Sequence, residues 1–236
     1  MKRTQKGFTL VEIAIVLVII GLLLGGILKG QEMITQAKIK NVVADFSGIS
    51  AAYYGYQDRY RSIPGDDNNA ATRWATVPVA INGTGDGQLS GTYNNACVLV
   101  PVAGTPESCL WWDHLRRAGF VAGTGGMQPF NAVTGLIGVQ TGDGAAAPGP
   151  PVVASGPTLL NVAGGNGFVG LIVCSAGMPD KIAIAVDTQM DDGTSNLGTV
   201  RALQQATPNP NIGVGLVATQ PYAETGTNIY TLCRSL

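Results

Sequence analysis

Charge is scarce in this chain: Asp, Glu, Lys and Arg make up 12% of its 236 residues, about half the share of an ordinary soluble domain. The net charge is −1, so no global basic field is present to hold nucleic acid, and none is expected as a partner. A single histidine, His114, excludes a multi-histidine metal centre within one chain. No Walker motif is present, which excludes a P-loop nucleotide hydrolase. No repeat of about 20–50 residues is apparent. Glycine, by contrast, is plentiful at 33 residues, and an apolar fraction of 45% argues against wholesale disorder. The length suits one large domain or two small ones.

The charge is unevenly placed. Residues 1–40 carry Lys2, Arg3, Lys6, Lys29, Lys38 and Lys40 against Glu12 and Glu32, whereas the remainder is net acidic. A basic start followed by an acidic remainder predicts membrane insertion with the basic end in the cytoplasm. The four cysteines, Cys97, Cys109, Cys174 and Cys233, all lie in the acidic part. An even count without CxxC spacing fits disulfides in an oxidising compartment better than a zinc site. Of the possible pairings, the short loop favours Cys97–Cys109, and Cys174–Cys233 would then tie down the C-terminus.

The sharpest signal is at the start. Residues 1–7, MKRTQKG, are polar and basic, and Phe8 to Leu28 is an apolar run broken by one charge, Glu12. As a helix that run is about 31 Å long, which matches a hydrocarbon core of about 30 Å. A disposable secretory signal has a shorter apolar stretch that ends in a small-residue cleavage site. Here the plausible junction, Gly7-Phe8, precedes the apolar run, so cleavage leaves the hydrophobic segment on the mature protein. A carboxylate within a span is costly and is by default a functional residue. Glu12 sits one helical turn from Phe8, where an α-amine freed by cleavage, on its own or a neighbouring chain, can offset its charge.

Lys6-Gly7-Phe8-Thr9-Leu10-Val11-Glu12, followed by the apolar helix, resembles the class III leader of type IV pilins and type II secretion pseudopilins. The resemblance implies cleavage after Gly7 by a prepilin peptidase, methylation of the new amine of Phe8, and a role for Phe8 and Glu12 in assembly. It covers roughly residues 1–60. The chain lacks the helix-kinking proline many pilins carry near the end of the span; Gly21, Gly25, Gly26 and Gly30 loosen the helix instead.

Four segments are expected: a leader over 1–7, a membrane and polymerisation helix over 8–30, its amphipathic continuation over 31–60, and a globular pilin-like domain over 61–236. The stripe Ile34, Ala37, Val42, Phe46, Ile49, Tyr53, Tyr60 predicts a helix face packed on that domain, and Ile63-Pro64-Gly65-Asp66 stops the helix. Beyond it, strands are predicted at Cys97–Val102, Leu136–Gln140, Phe168–Cys174 and Ile229–Cys233, and helices at Leu110–Ala118 and Ile182–Gln189. The Pro-, Gly- and Ala-rich stretch 141–157 reads as an exposed loop. Ordering and resemblance together give an α+β fold: a long N-terminal helix on a small, mainly antiparallel sheet with long loops. The segments Tyr60–Asp66, Trp112–Phe120 and Asp187–Gly193 are also similar to stretches of larger pilin-like proteins.

Asp187, Asp191, Asp192 and Asn196 cluster hard oxygen ligands around a glycine turn, which suits calcium. The resemblance points the same way, because major pseudopilins carry calcium in a C-terminal loop. The spacing is not that of an EF-hand, and Asp-Asp-Gly is also an ordinary turn. Enzymatic readings fare worse. The letters from Gly165 to Gly170 fit GxGxxG, but a poor strand precedes them and a strand-like run follows, where the dinucleotide fingerprint needs a helix. A hydrolase would need His114 as its base, and that residue sits beside two tryptophans, where packing is the better account.

What the resemblance implies is therefore not an enzyme but a structural subunit of a type IV pilus-like filament. Its partners are further copies in an open helical polymer, the prepilin peptidase, and a cytoplasmic ATPase with its inner-membrane platform. The location implied is the bacterial inner membrane, N-terminus inward, then the periplasm or a surface filament. Two alternatives stay open: a pseudopilin or minor subunit of a secretion or DNA-uptake machine, and a membrane-anchored adhesin.

Overall fold

The computed structural model describes residues 9–142, 168, 170–212 and 221–236. The proline-rich stretch beyond Gly142 and the glycines at 165 and 167 lie outside them. The chain divides into two compact units, residues 1–38 and 39–236.

The first unit is helical from Leu10 onward, as part of helix α1, Leu10–Tyr60. Every side chain from Leu10 to Leu28 is exposed, and the helix is long and apolar enough to cross a membrane. Lys29 and Glu32 form an exposed ion pair at 2.8 Å just beyond the apolar run.

In the second unit the rest of α1 buries one stripe: Ile39, Val42, Phe46, Ile49, Ala52, Tyr53 and Tyr56. The steps of three and four residues keep these side chains on one face. The stripe starts later than the sequence pattern predicts, since Ile34 and Ala37 are exposed; both belong to the first unit. Helix α1 ends at Tyr60, and the N–H of Arg61 donates to the carbonyl of Gln57 at 2.8 Å. The turn that follows passes so close to the next layer that a Cβ on Gly65 would stand 2.5 Å from the Glu107 carbonyl, with φ at +87°. Only glycine fits there.

After a short helix, α2 (Ala70–Arg73), come α3 (Glu107–Arg117), β1 (Ile137–Thr141), β2 (Leu171–Pro179), α4 (Asp180–Met190), β3 (Val200–Gln204) and β4 (Ile229–Ser235). The strands form one antiparallel sheet in the order β1-β2-β4-β3. Central β2 is buried continuously from Leu171 to Ala176, as a strand covered on both faces must be. One face joins the main core with Tyr53, Trp111, Leu115, Ile182 and Val186; the other packs Ile172, Cys174 and Cys233 with Tyr93 and Ile212. The architecture is the expected α+β one, a long apolar N-terminal helix and a small antiparallel sheet.

Local departures from expectation have physical causes. Cys97–Val102 is not a strand: Val98, Leu99, Val100 and Val102 are exposed on an irregular segment. Pro101 lacks an N–H for a ladder, and Cys97 is bonded to Cys109 of α3, which holds the segment away from the sheet. Strand β3 escapes the sequence pattern because it is only five residues long and its neighbour Asp191 supplies part of its edge bonding.

Candidate assembly site and acidic turn

Gly7 and Phe8, the expected processing junction, lie outside the described residues. The next residues form a reciprocal cap. Thr9 N–H and Thr9 Oγ1 both donate to Glu12 Oε2 at 2.8 Å, and Glu12 N–H donates back to Thr9 Oγ1 at 3.3 Å. This is the T-x-x-E capping box, which satisfies donors that a helix start otherwise leaves open. One oxygen of Glu12 carries the cap; the other, Oε1, has no partner among the described residues. The carboxylate is thus turned toward the helix start, with acceptor capacity remaining for one more donor.

The four cysteines pair as Cys97–Cys109 and Cys174–Cys233. The second bridge joins directly opposed residues of β2 and β4 and is fully buried.

The acidic turn lies where α4 gives way to β3. Asp187, Asp191 and Asp192 bring carboxylate oxygens within 4.8 Å of one another. Asp191 Oδ2 accepts the N–H groups of Thr199 and Val200 at 2.5 and 2.9 Å, so it closes the loop and caps the start of β3. Gly198 permits this approach: at φ +71°, a Cβ would fall 1.8 Å from that same oxygen. Asp192 Oδ1 accepts the Thr194 N–H. Asn196 lies in the same loop, half-buried. Asp187 is completely buried; its Oδ2 accepts the Tyr222 hydroxyl at 2.7 Å, while its Oδ1 has no hydrogen-bond partner among the described residues. Burial pushes the Asp187 carboxyl up to about 6, with Asp192 and Asp191 adding to the rise and the Tyr222 hydroxyl and Gly193 N–H opposing it. Three carboxylates around an orphaned buried oxygen form a donor set suited to a hard cation.

A second group, Asp66, Asp86 and Glu107, is similarly close but differently employed. Asp66 accepts the N–H groups of Gly85, Asp86 and Gly87, and Glu107 accepts those of Thr84 and Ser90. These carboxylates brace the 84–90 loop. His114 is a packing residue: Nδ1 accepts the Gly65 N–H at 2.9 Å, which fixes the proton on Nε2, and Nε2 donates to the Ile81 carbonyl at 2.8 Å.

Residues 2–28 match the family model of the prokaryotic N-terminal methylation motif. That motif is the hallmark of type IV pilins and pseudopilins. It implies processing by a prepilin peptidase and, with the apolar helix, membrane anchoring before filament assembly. No curated protein and no solved structure matches the chain significantly.

The methylation motif contains the capping box within it, and Thr9 is the residue that composition-level reading passes over; its signal was the T-x-x-E spacing ahead of an apolar run. Tyr222 and Asp180 were also unforeseen. Asp180 accepts the N–H groups of Thr225 and Gly226 at 2.8 and 2.7 Å, so α4 holds the 221–228 segment by two buried carboxylates, Asp180 and Asp187. Their sequence spacing of one acid at each end of a helix carries no such message without the fold.

Proposed function

We propose that this chain is a structural subunit of a type IV pilus-like filament, cleaved after Gly7, methylated on Phe8 and polymerised through its N-terminal helix. The observation that carries this reading is the methylation motif over residues 2–28, which includes an apolar helical run from Leu10 to Leu28 with every side chain exposed. In lipid, that helix exchanges one apolar surrounding for another when it enters a bundle of like helices, so assembly has little hydrophobic cost. The Glu12 oxygen with no partner among the described residues supports a charge pairing with the Phe8 amine of an adjacent copy, which would set the axial stagger of the polymer. The N-terminus faces the cytoplasm before assembly, and the polymer, being head-to-tail and open, is helical. The chain's role is mechanical rather than enzymatic; assembly energy comes from a cytoplasmic ATPase acting through an inner-membrane platform.

Intact mass spectrometry of the shear-released surface fraction and of the membrane fraction tests this. A dominant sheared species beginning at methylated Phe8 is expected. The same species confined to membranes would replace the pilin reading with the pseudopilin or minor-subunit one. Retention of Met1–Gly7 in both fractions would overturn processing altogether. A membrane-anchored adhesin requires instead that the processed chain stay monomeric.

The acidic turn favours the pseudopilin alternative if it holds calcium. We propose that Asp187, Asp191 and Asp192 supply carboxylate oxygens to such an ion, and the unpartnered Oδ1 of Asp187 supports this. Bound calcium would offset two of the three negative charges on these adjacent carboxylates and fasten the 191–199 loop to α4. At a free calcium concentration of about a hundred times Kd, the folded state gains about 2.7 kcal/mol. The expected result is a higher Tm in calcium than in chelator, abolished by Asp187→Asn; equal Tm values would remove the site.

A further inference from the structure

At the end of α1 the backbone does something that its sequence makes costly. Arg61 occupies the position just past the helix with φ +55°, a left-handed conformation that glycine or asparagine ordinarily fills. Strained residues of this kind persist where the surroundings or a function hold them. The Arg61 side chain lines an open cavity of about 450 Å³ together with Gln57, Ser62, Ile63 and Asn68, a volume in the range of small-molecule sites.

Part of the polar lining is already engaged, with Ser62 Oγ donating to the Tyr60 carbonyl at 3.4 Å and the Gly85 and Gly87 N–H groups to Asp66; Arg61, Gln57 and Asn68 keep capacity for a ligand. Arg61 meets Asp58 at 3.8 Å, with both side chains about 85% exposed, a pairing that holds a guanidinium weakly. The amide of Gln57 donates to Tyr53 at 2.7 Å, and its carbonyl oxygen has no partner among the described residues. The Asn68 side-chain amide is exposed and likewise without a described partner. The cavity's carboxylate, Asp66, is committed to the backbone of the 84–87 loop and so does not compete for Arg61. Ile63 adds an apolar wall.

We propose that this cavity binds an acidic saccharide, with Arg61 receiving the carboxylate. A guanidinium fork matches a carboxylate in bidentate geometry. The amides of Gln57 and Asn68 offer donors and acceptors for vicinal hydroxyls, and Ile63 meets the C–H face of a sugar ring. The strain at Arg61 then places a cation where glycine would be the more stable choice. This site is independent of whether the chain joins a pilus or a secretion filament.

The test is a ligand-observed NMR titration of the full-length protein, purified in a detergent without a sugar headgroup, using sodium glucuronate, glucose and inorganic phosphate. Saturable glucuronate binding is expected, with glucose weaker. Arg61→Gly should lose at least about tenfold in glucuronate affinity, as one lost charge-assisted contact implies, while its Tm is unchanged or higher. Asn68→Ala should weaken glucuronate and glucose alike. The proposal is overturned by absence of saturable glucuronate binding, by wild-type affinity in Arg61→Gly, or by phosphate binding as tightly as glucuronate, which would mark a plain anion site.

Discussion

Residues 10–28 leave every side chain exposed, whereas the unit from Ile39 onward buries two tryptophans, Trp111 and Trp112, and even its histidine completely. The two regions meet opposite solvation problems with opposite means. The first has a backbone satisfied by its own helix and an apolar surface that requires lipid or other copies around it. The second spans long sequence separations with specific polar contacts. Asp66 holds a loop some 20 residues away, Asp180 one some 45 residues away, and two disulfides close further loops. Substitutions in the first unit should therefore change assembly and leave folding alone, while those in the second should do the reverse.

The largest expected effect tests that division directly. Glu12→Ala should reduce filament yield by an order of magnitude or more, on the scale of a lost buried charge pair, with no change in the Tm of the second unit. Glu12→Gln refines the point, because Gln retains a capping box but carries no charge. Yield as low as that of Glu12→Ala would assign the effect to charge; normal yield would assign it to the cap.

Next come the disulfides, which belong to the second unit alone. Loop closure alone predicts a cost of about 4 kcal/mol for replacing Cys174 and Cys233 by Ser and about 3 kcal/mol for replacing Cys97 and Cys109, since the sequence separations are 59 and 12. Denaturant unfolding of each double variant checks the order. The reverse order would mean that the exposed Val98–Val102 segment depends on its bridge more than the sheet does.

A smaller effect, graded by pH, should come from His114. Burial pushes its imidazole down from the ordinary value, against the Ile81 carbonyl, Asp113 and Asp67, which favour the proton, and with Arg117, which opposes it. The unfolded chain therefore takes up a proton that the folded chain resists. The contribution is full above the ordinary value of 6.5 and is lost as the pH falls below it, at up to about 1.4 kcal/mol per pH unit. Chemical denaturation between pH 7 and 5 should show this slope as the difference between wild type and His114→Asn, because the Asp187 carboxyl, raised to about 6, titrates in the same window with the opposite sign.

These contrasts parallel what the sequence made legible. The first unit is a local code: a basic start, a glycine-phenylalanine junction and an apolar run need no tertiary context. The antiparallel sheet was partly readable, since β4 begins where an apolar run near Ile229 suggests and β1 lies one residue from its expected place. Strand β3 and the exposure of Val98–Val102 were not readable, because β3 takes its ladder from β4, some 30 residues further on, and the 98–102 segment is placed by the bridge from Cys97 to Cys109. The acidic turn could be located from Asp187, Asp191 and Asp192. The orphaned oxygen of Asp187 could not, because it arises from burial beneath Tyr222, some 35 residues away.

The smallest effect separates two roles within the first unit. Thr9→Ala removes the hydroxyl that donates to Glu12 and accepts its N–H, at a cost of about 1 kcal/mol to the helix start. The Glu12 charge remains, as does the Thr9-position N–H that donates to it. If Glu12 acts by meeting an amine on a neighbouring copy, this variant should assemble at close to the normal yield, with faster amide exchange confined to the first turn of α1. If yield instead falls as far as in Glu12→Ala, the carboxylate serves assembly by ordering its own helix terminus, and the stagger between subunits must be set by the apolar faces of Leu10–Leu28 alone.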